Sequence, residues 1–437
     1  MTQYIDNILF AVILAGGVGY FAYNLRKTVR NIKLGRPYNR SDRKNERWRN
    51  MLLKAFGQQK MFKRPVPALL HLAVYLGFII INIEVIEIII DGLFGTHRVL
   101  KFMGGFYNFL IASFEILAIL VIIAVTLFWI RRNVLKLWRF QMPEMKGWPK
   151  KDANLILYFE FILMSAFLIM DGADNKLQHL NVYQKAGGFP VSQWLYNILP
   201  DNPHTLEMIE KSMWWVHIVG ILIFLNYLYI SKHYHILLAF PNTFYAKLPP
   251  LGKLDVLENV KKEVELMLDP NADPYAATDN TEEEPTERFG AKDIFDLKWI
   301  NILNAYTCTE CGRCTDVCPA NNTGKKLSPR KIMMDVRDRA EEIGKIIDKK
   351  GKFEDDGKSL FDYISKEEIW ACTTCNACVE ECPVENDPMD VIIQLRQYLV
   401  MEESAAPSEL NMMFTNIENN GAPWQYSQAD RLNWANE

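Results

Sequence analysis

Residues 308–320 read CTECGRCTDVCPA and decide the fold of the C-terminal half of the chain. Four cysteines spaced C-x2-C-x2-C-x3-C, with proline directly after the last, are typical of iron–sulfur ligand loops. A single zinc ion would instead favour two separated pairs of ligands. The stretch therefore predicts an iron–sulfur centre in a reducing compartment and argues against a secreted disulfide framework.

A second stretch, residues 372–384, repeats the spacing as CTTCNACVEECPV, and together the two motifs hold all eight cysteines. Three closely spaced thiolates hold one cluster, whereas the fourth lies too far along the chain and ligates the other cluster. The spacing therefore predicts two 4Fe–4S clusters with exchanged fourth ligands. The first cluster takes Cys308, Cys311, Cys314 and Cys382, and the second takes Cys372, Cys375, Cys378 and Cys318.

The N-terminal half of the chain is apolar. The 437 residues are too many for one ordinary domain, and a net charge of −3 gives no reason to expect a nucleic-acid partner. Five segments approach or exceed the length that crosses ~30 Å of hydrocarbon. These predicted spans are residues 5–25, 66–90, 106–130, 153–171 and 207–231.

Lysine and arginine are distributed unevenly between the connecting segments. Residues 24–65 hold fourteen and residues 131–152 hold seven, whereas 91–105 and 172–206 hold two each. Because basic loops stay in the cytoplasm, the N-terminus is expected outside and the cysteine motifs inside. The predicted domains are a membrane bundle at 1–240, an acidic linker at 241–290, a two-cluster domain at 291–403 and a partner-binding tail at 404–437.

Histidines in the apolar half lie at distinct depths. His71 lies near the cytoplasmic end of the second span, and His233 and His235 end the fifth span on the same side. Two imidazoles at equal depth on facing helices predict a haem b between His71 and His235, with His233 as the alternate ligand. His217 lies deeper and is a second haem ligand, a quinone contact or a buried structural residue. The remaining histidines are expected as surface side chains of outer loops: His97, His179 and His204.

Four glutamates also fall at membrane depth: Glu84, Glu87, Glu115 and Glu160. Carboxyl groups are costly there and usually mark proton or quinone paths. Glu84, Glu87 and Glu115, together with His217, are therefore the candidates for the quinone or proton site. Glu87 alternatively extends to the membrane surface as an interfacial side chain.

The five spans resemble the gamma subunit of respiratory nitrate reductase and the cytochrome b subunits of heterodisulfide-reductase-type complexes. In that family the fifth helix carries two histidines about eighteen residues apart, as His217 and His235 are here. The second helix departs from the pattern, because Ile81 stands ten residues after His71 where the family has histidine. The resemblance implies one haem b near the cytoplasmic face and leaves a second haem open.

Residues 414–437, FTNIENNGAPWQYSQADRLNWANE, read by composition alone as a disordered polar tail. They look, however, like the connector of membrane electron-transfer-flavoprotein:menaquinone oxidoreductases, which leads into a cysteine-rich CCG-type domain. That domain is expected on a separate subunit here, so the resemblance implies a CCG-type iron–sulfur subunit and an electron-transfer flavoprotein as partners. The matching residues are Glu418, Asn419, Gly421, Pro423, Trp424, Arg431 and Trp434.

The resemblance implies an all-α protein, in which a five-transmembrane-helix cytochrome b bundle precedes a cytoplasmic α-helical ferredoxin domain in a bacterial inner membrane. It implies electron transfer between a cytoplasmic redox partner and menaquinone or another quinone, through two 4Fe–4S clusters and haem b. One alternative is the membrane subunit of a heterodisulfide- or sulfite-pathway reductase that takes electrons from quinol. Another is a redox-sensing membrane scaffold that recruits partners.

Overall fold

The structure, a computed structural model, describes residues 2–270, 288–425 and 427–436. Across these residues the regular elements are helices, and the one strand-like pairing is an isolated bridge between Arg36 and Lys298. The predicted all-helical class is confirmed. Residues 271–287 of the predicted acidic linker lie outside the described residues.

The N-terminal half contains five long apolar helices and one short helix in a loop. The number of membrane-capable helices predicted from the sequence is confirmed for the described residues, with spans at Tyr4–Ile32, Pro65–Phe94, Gly105–Asn133, Trp148–His179 and Pro203–Ile230. The helices are α1 (Thr2–Ile32), α2 (Lys44–Met51), α3 (Pro65–Phe94), α4 (Gly105–Asn133), α5 (Trp148–His179) and α6 (Pro203–Tyr227).

Helix α5 is longer than the predicted span of 153–171. It continues to His179 because Asp171 and Asp174 pair with Arg98, so the charges that end the apolar run in sequence are buried inside the bundle. His179 is therefore the last residue of a helix and not part of a loop. His204 lies in the first turn of α6, also within a helix.

Helix α6 ends earlier than the predicted span of 207–231. It stops at Tyr227, and two short 3₁₀ turns follow before a new helix, α7, begins at His235. Asp152 fixes this break, because its carboxylate accepts hydrogen bonds from the Tyr227 and Ser231 hydroxyls at 2.5 and 2.6 Å. The sequence predicted that His233 and His235 end the fifth span, but His233 lies in the second turn after it and His235 is the first residue of α7.

The remaining helices form the C-terminal half. Ser328 accepts a hydrogen bond from the Lys331 amide and caps the longest of them, a helix of 22 residues. The helices are α7 (His235–Phe244), α8 (Glu258–Leu268), α9 (Trp299–Thr307), α10 (Arg313–Asp316), α11 (Pro319–Asn322), α12 (Pro329–Lys350), α13 (Lys366–Ala371), α14 (Ala377–Glu381), α15 (Pro388–Met401), α16 (Ser408–Asn420) and α17 (Asn433–Asn436).

The two halves share one hydrophobic core. Ile32 at the end of α1, Leu228 after α6 and Leu238 in α7 pack into the same buried cluster as Ile302 and Leu303 of α9. The predicted domain boundary at 240/241 consequently falls inside α7. We call the end of the bundle that packs against the C-terminal helices the cluster end and the opposite end the distal end.

Candidate redox centres

The first three cysteines of the first motif line one cavity together with two cysteines of the second motif: Cys308, Cys311, Cys314, Cys378 and Cys382. Helix α9 ends just before Cys308, and α10 begins after Gly312, whose φ of 72° allows the tight turn. A Cβ at Gly312 would collide with the Arg330 guanidinium. The fold thus brings together the four residues that the spacing assigns to one cluster.

The thiols surround a space and do not converge on a point. No three histidine, cysteine or acidic side chains among the described residues are close enough to hold a single metal ion. Burial, reinforced by neighbouring thiols, raises the pKa of Cys308 to about 11 and that of Cys382 to about 12. Because metals bind the thiolate, loading this site must release protons. The arrangement fits a multi-atom iron–sulfur cluster better than zinc.

The second group brings Cys318 near the other motif. Burial raises the thiol pKa values of Cys372 and Cys378, and the charges of Cys318 and Cys375 raise both further. Cys318 is the N-cap residue of α11 and is followed by Pro319 at the first helical position, which fixes the backbone beyond the thiol. Cys318 thus lies near the second motif, as the predicted exchange of fourth ligands requires, and the exchange itself stays a prediction.

A basic loop at the cluster end docks both cysteine motifs. Arg64 bridges the two, since its guanidinium binds Asp316 of α10 and lies 2.7 Å from the Glu381 carboxylate of α14. Lys63 pairs with Glu380 at 2.5 Å. The lysines and arginines that set the predicted orientation thus also bind the acidic residues between the cysteines.

His71 and His235 face each other beside this loop. Their ring centroids are 6.4 Å apart, close to the ~6 Å expected when two imidazoles bind one ion from opposite sides with bonds of ~2 Å. His71 Nδ1 donates to Gln58 Oε1 at 2.9 Å, and His235 Nδ1 donates to the Lys232 carbonyl at 3.0 Å. Each ring therefore keeps Nε2 for a metal, and the outer hydrogen bonds fix its orientation. Burial lowers the pKa of His235, which favours the neutral ring that a metal requires.

His233 has a different environment from His235. Its Nε2 lies 4.0 Å from the Glu160 carboxylate, and its ring packs against Phe224 at a centroid distance of 5.2 Å. It lies 5.5 Å from the His235 ring, nearly perpendicular to it. The structure thus pairs His71 with His235 and places His233 beside Glu160.

Lys232 and Glu310 connect two segments. The first is the 3₁₀ turn that contains His233 and precedes His235, which we call the histidine turn, and the second is the loop of the first cysteine motif. Glu310 lies between Cys308 and Cys311, is 3% exposed, and binds both Lys232 and Arg337, the latter at 2.8 Å. Burial disfavours the Glu310 charge, but Lys232 and Arg337 outweigh burial and hold its pKa at about 2. The ion pair and the hydrogen bond from His235 to the Lys232 carbonyl form a continuous path from cysteine loop to histidine.

Residues 307–386 match the family model of a 4Fe-4S dicluster domain. The match contains both cysteine motifs and the helices between them, so the iron–sulfur interpretation of the spacing is confirmed at the level of the domain. No solved structure matches the chain.

Curated relatives extend the similarity beyond this dicluster domain. The chain is 30% identical to the probable iron-sulfur-binding oxidoreductase FadF of Bacillus subtilis, over 99% of the chain and 61% of the relative. It is 25% identical to the EtfAB:quinone oxidoreductase of Syntrophomonas wolfei, over 91% of the chain and 55% of the relative. A probable membrane-anchored ferredoxin of Chromohalobacter salexigens is 30% identical over 33% of the chain and 24% of its own length.

The chain therefore spans little more than half the length of the first two relatives. The first is a probable iron-sulfur-binding oxidoreductase and the second is an oxidoreductase, which together with the dicluster domain supports a role in electron transfer. The five apolar helices and the membrane-anchored relative support a membrane protein.

His217 lies in the interior of the bundle, away from the other histidines. It is fully buried, its Nδ1 donates to the Leu163 carbonyl at 3.0 Å, and its Nε2 has no hydrogen-bond partner in the described part of the chain. Its ring packs against Phe167 at 5.8 Å. No second histidine ring faces it among the described residues, so the structure gives it no axial partner.

The distal end holds polar residues that sequence reasoning missed. Arg98, Asp171 and Asp174 form buried ion pairs there, next to the predicted Glu84 and Glu87. The sequence held part of the evidence for this polar group, because Asp171 and Asp174 are one helical turn apart at the end of an apolar run. Arg98 could not be paired with them by sequence alone, since it lies 73 residues before Asp171, on the other side of α4.

Proposed function

We propose that this chain carries electrons between a soluble redox partner and a membrane quinone, through two 4Fe–4S clusters and one haem b. The observation that carries the proposal is the path at the cluster end. It runs from the Cys308–Cys311 loop through the buried Glu310–Lys232 pair to His235 and the facing ring of His71. A protein that used its clusters only as structural elements would have no need for a histidine pair beside them.

The protein's own residues would hold and insulate the carriers. His71 and His235 would bind the haem, while Gln58 and the Lys232 carbonyl orient the two rings. The two cysteine sets would hold the clusters, with Cys318 and Cys382 exchanged between the motifs. Bound clusters and haem supply one-electron carriers, and the protein sets their spacing and potential.

The orientation proposed for the bundle places the cluster end in the cytoplasm of a bacterial cell. The basic segments 24–65 and 131–152 both lie at that end, as the positive-inside rule requires. Residues 404–437 would receive the soluble partner, which is a CCG-type iron–sulfur subunit, an electron-transfer flavoprotein or both. The quinol-driven direction and the scaffold role stay predictions of the sequence, with no separate structural observation in their favour.

The test is the spectrum and reactivity of the purified full-length protein in lipid. It should contain a low-spin bis-histidine haem b that is reduced through the clusters and oxidised by a naphthoquinone. His71→Ala should lose the haem and quinone reduction while it keeps the iron–sulfur signals. Protein that reduces quinone at full rate without any haem absorbance would overturn the proposed path.

A further inference from the structure

Four carboxyl groups surround one guanidinium at the distal end. Arg98 is 6% exposed; its guanidinium binds Asp171 at 2.7 Å and Asp174, and it donates to the Tyr107 hydroxyl at 3.1 Å. Tyr107 in turn donates to Glu87 at 2.9 Å. Glu84 is the fourth carboxyl. We call these residues, with Glu115, the distal cluster.

Glu84 is the member whose charge is compensated only by a long contact. It is 3% exposed, its Oε2 has no hydrogen-bond partner in the described part of the chain, and its Oε1 lies 4.0 Å from the Arg98 guanidinium. Arg98 is already hydrogen-bonded to Asp171, Asp174 and Tyr107, so Glu84 shares this cation with two carboxylates that lie closer to it. A buried carboxylate with an unpaired oxygen and only a shared, more distant cation is costly to keep ionised. This geometry favours the protonated form of Glu84.

Two further carboxyl oxygens within the cluster have no partner. Asp171 Oδ2 is unpaired among the described residues, and Asp171 is fully buried. Glu115, also fully buried, uses Oε2 to accept the Val191 amide at 2.8 Å and leaves Oε1 free. Glu115 is close enough to Asp171 for their charges to interact. Unpaired oxygens on neighbouring carboxyl groups are sites for a shared proton or an ordered water.

The cluster is connected to the distal surface. Gln178 lines a polar surface pocket together with Asn108 and Lys185, and its Nε2 donates to Asp174 at 3.1 Å. Asp174 binds Arg98, which binds Asp171. A chain of polar groups thus leads from solvent to the buried carboxyls, whereas apolar side chains fill the bundle around them.

From this geometry we propose that the distal cluster is a proton-binding site, in which Glu84 stores a proton that is delivered to the quinone. The proposal rests on the proposed function. Each naphthoquinone reduced to naphthoquinol takes two electrons from the protein's carriers and two protons, and the protons would enter from the distal end. Electrons would then arrive from one side of the membrane and protons from the other.

The first test is infrared spectroscopy of the full-length protein in lipid. Glu84→Gln should remove the intensity of one protonated carboxyl, and that band should shift in heavy water. Asp6→Asn, which changes an exposed acid on α1 at the same end, should leave the band unchanged. Loss of ionised carboxylate intensity in Glu84→Gln would overturn the proposal.

The second test measures on which side of the membrane the protons are taken up. Protein in vesicles, with the distal end facing a lumen that contains a pH dye, is reduced with just enough dithionite to fill its carriers and then mixed with menadione. The lumen should become alkaline as the haem is oxidised, and Glu84→Gln should slow this about tenfold or more, while Glu84→Asp restores it. Full-rate haem oxidation with no lumenal pH change, or an unslowed Glu84→Gln variant, would overturn the proton site.

These two tests separate the site from the function on which it rests. If the haem is absent or menadione never oxidises it, the electron path fails, and the infrared band still decides whether Glu84 is protonated. The pH dependence of the second test must be compared among variants, because other titratable groups face the cluster. These groups are Asp91, His97, Tyr107, Tyr183 and Glu210.

Discussion

Lys232 and Glu310 form a buried ion pair between the histidine turn of the membrane half and the first cysteine loop. Lys232 is 9% exposed and also donates to the Pro149 carbonyl at 2.7 Å, so its ammonium ties three segments together. A buried pair of this kind is weak evidence for stability by itself. The pair instead fixes the position of the first cysteine loop, because it holds the residues between Cys308 and Cys311 against the turn that precedes His235.

The first prediction follows from that pair. Lys232→Met should lower the free energy of unfolding by about 3 kcal/mol, because Glu310 and Asp152 would lose a buried cation. Lys261→Met is the matched control: this lysine is half exposed and bridges Glu258 and Glu265 at 3.7 Å, so its loss should cost at most about 1 kcal/mol. Thermal unfolding of the full protein in detergent measures both, and equal shifts for the two variants would contradict the argument.

The second prediction concerns the exchanged ligands. The protein should contain about eight iron atoms per chain besides haem. Cys318→Ser should damage the cluster held by Cys372, Cys375 and Cys378, and leave the cluster beside it in sequence intact. Electron paramagnetic resonance of the reduced protein resolves the two clusters. A spectrum in which Cys318→Ser loses only the near cluster would refute the exchange.

The third prediction concerns the orientation of the histidine rings. Gln58→Leu should weaken haem binding about 10- to 100-fold, because His71 would lose the acceptor that fixes its ring. His71→Ala should abolish haem binding. His204→Ala, on the exposed first turn of α6, is the control and should bind haem normally. Haem titration followed by absorbance distinguishes the three variants, and normal affinity in Gln58→Leu would rule out the orienting role.

Much of this arrangement could be predicted from local patterns. Cysteine spacing predicts which thiols belong together, because a short loop limits which of them can reach one cluster. Apolar run length predicts the number of spans. The pairing of His71 with His235 followed from their common depth, and the structure places the two rings together.

The position of His235 shows where such reasoning ends. Estimating the depth of His235 from that of His217 with a rise of ~1.5 Å per residue assumes that one continuous helix joins them. Asp152, on another helix, stops α6 at Tyr227 by accepting the hydroxyls of Tyr227 and Ser231. Arg98, Asp171 and Asp174 were missed for the same reason, since contacts between distant segments leave no periodic signal in the sequence.

Residues 404–425 and 427–436 present apolar side chains to solvent in the structure. Trp424 is 61% exposed, Trp434 is 77% exposed, and Met412 and Leu432 are similarly open. Arg431 bonds within this segment, where it donates to the Asn420 carbonyl at 3.0 Å. Both tryptophan rings are therefore unburied in the described part of the segment.

The last prediction is that these tryptophans anchor the soluble partner. Burying a tryptophan contributes a few kcal/mol, and such residues are typical hot spots that cost about 2 kcal/mol or more when truncated. Changing both Trp424 and Trp434 to alanine should therefore weaken binding of an electron-transfer flavoprotein or CCG-type subunit by at least about 100-fold. Electron flow from that partner to quinone should stop, with haem and clusters intact. Trp194→Ala, 78% exposed at the distal end, is the control. Co-purification and surface-binding measurements compare the affinity of these variants for the partner. A double variant that binds the partner as tightly as Trp194→Ala does would contradict the prediction.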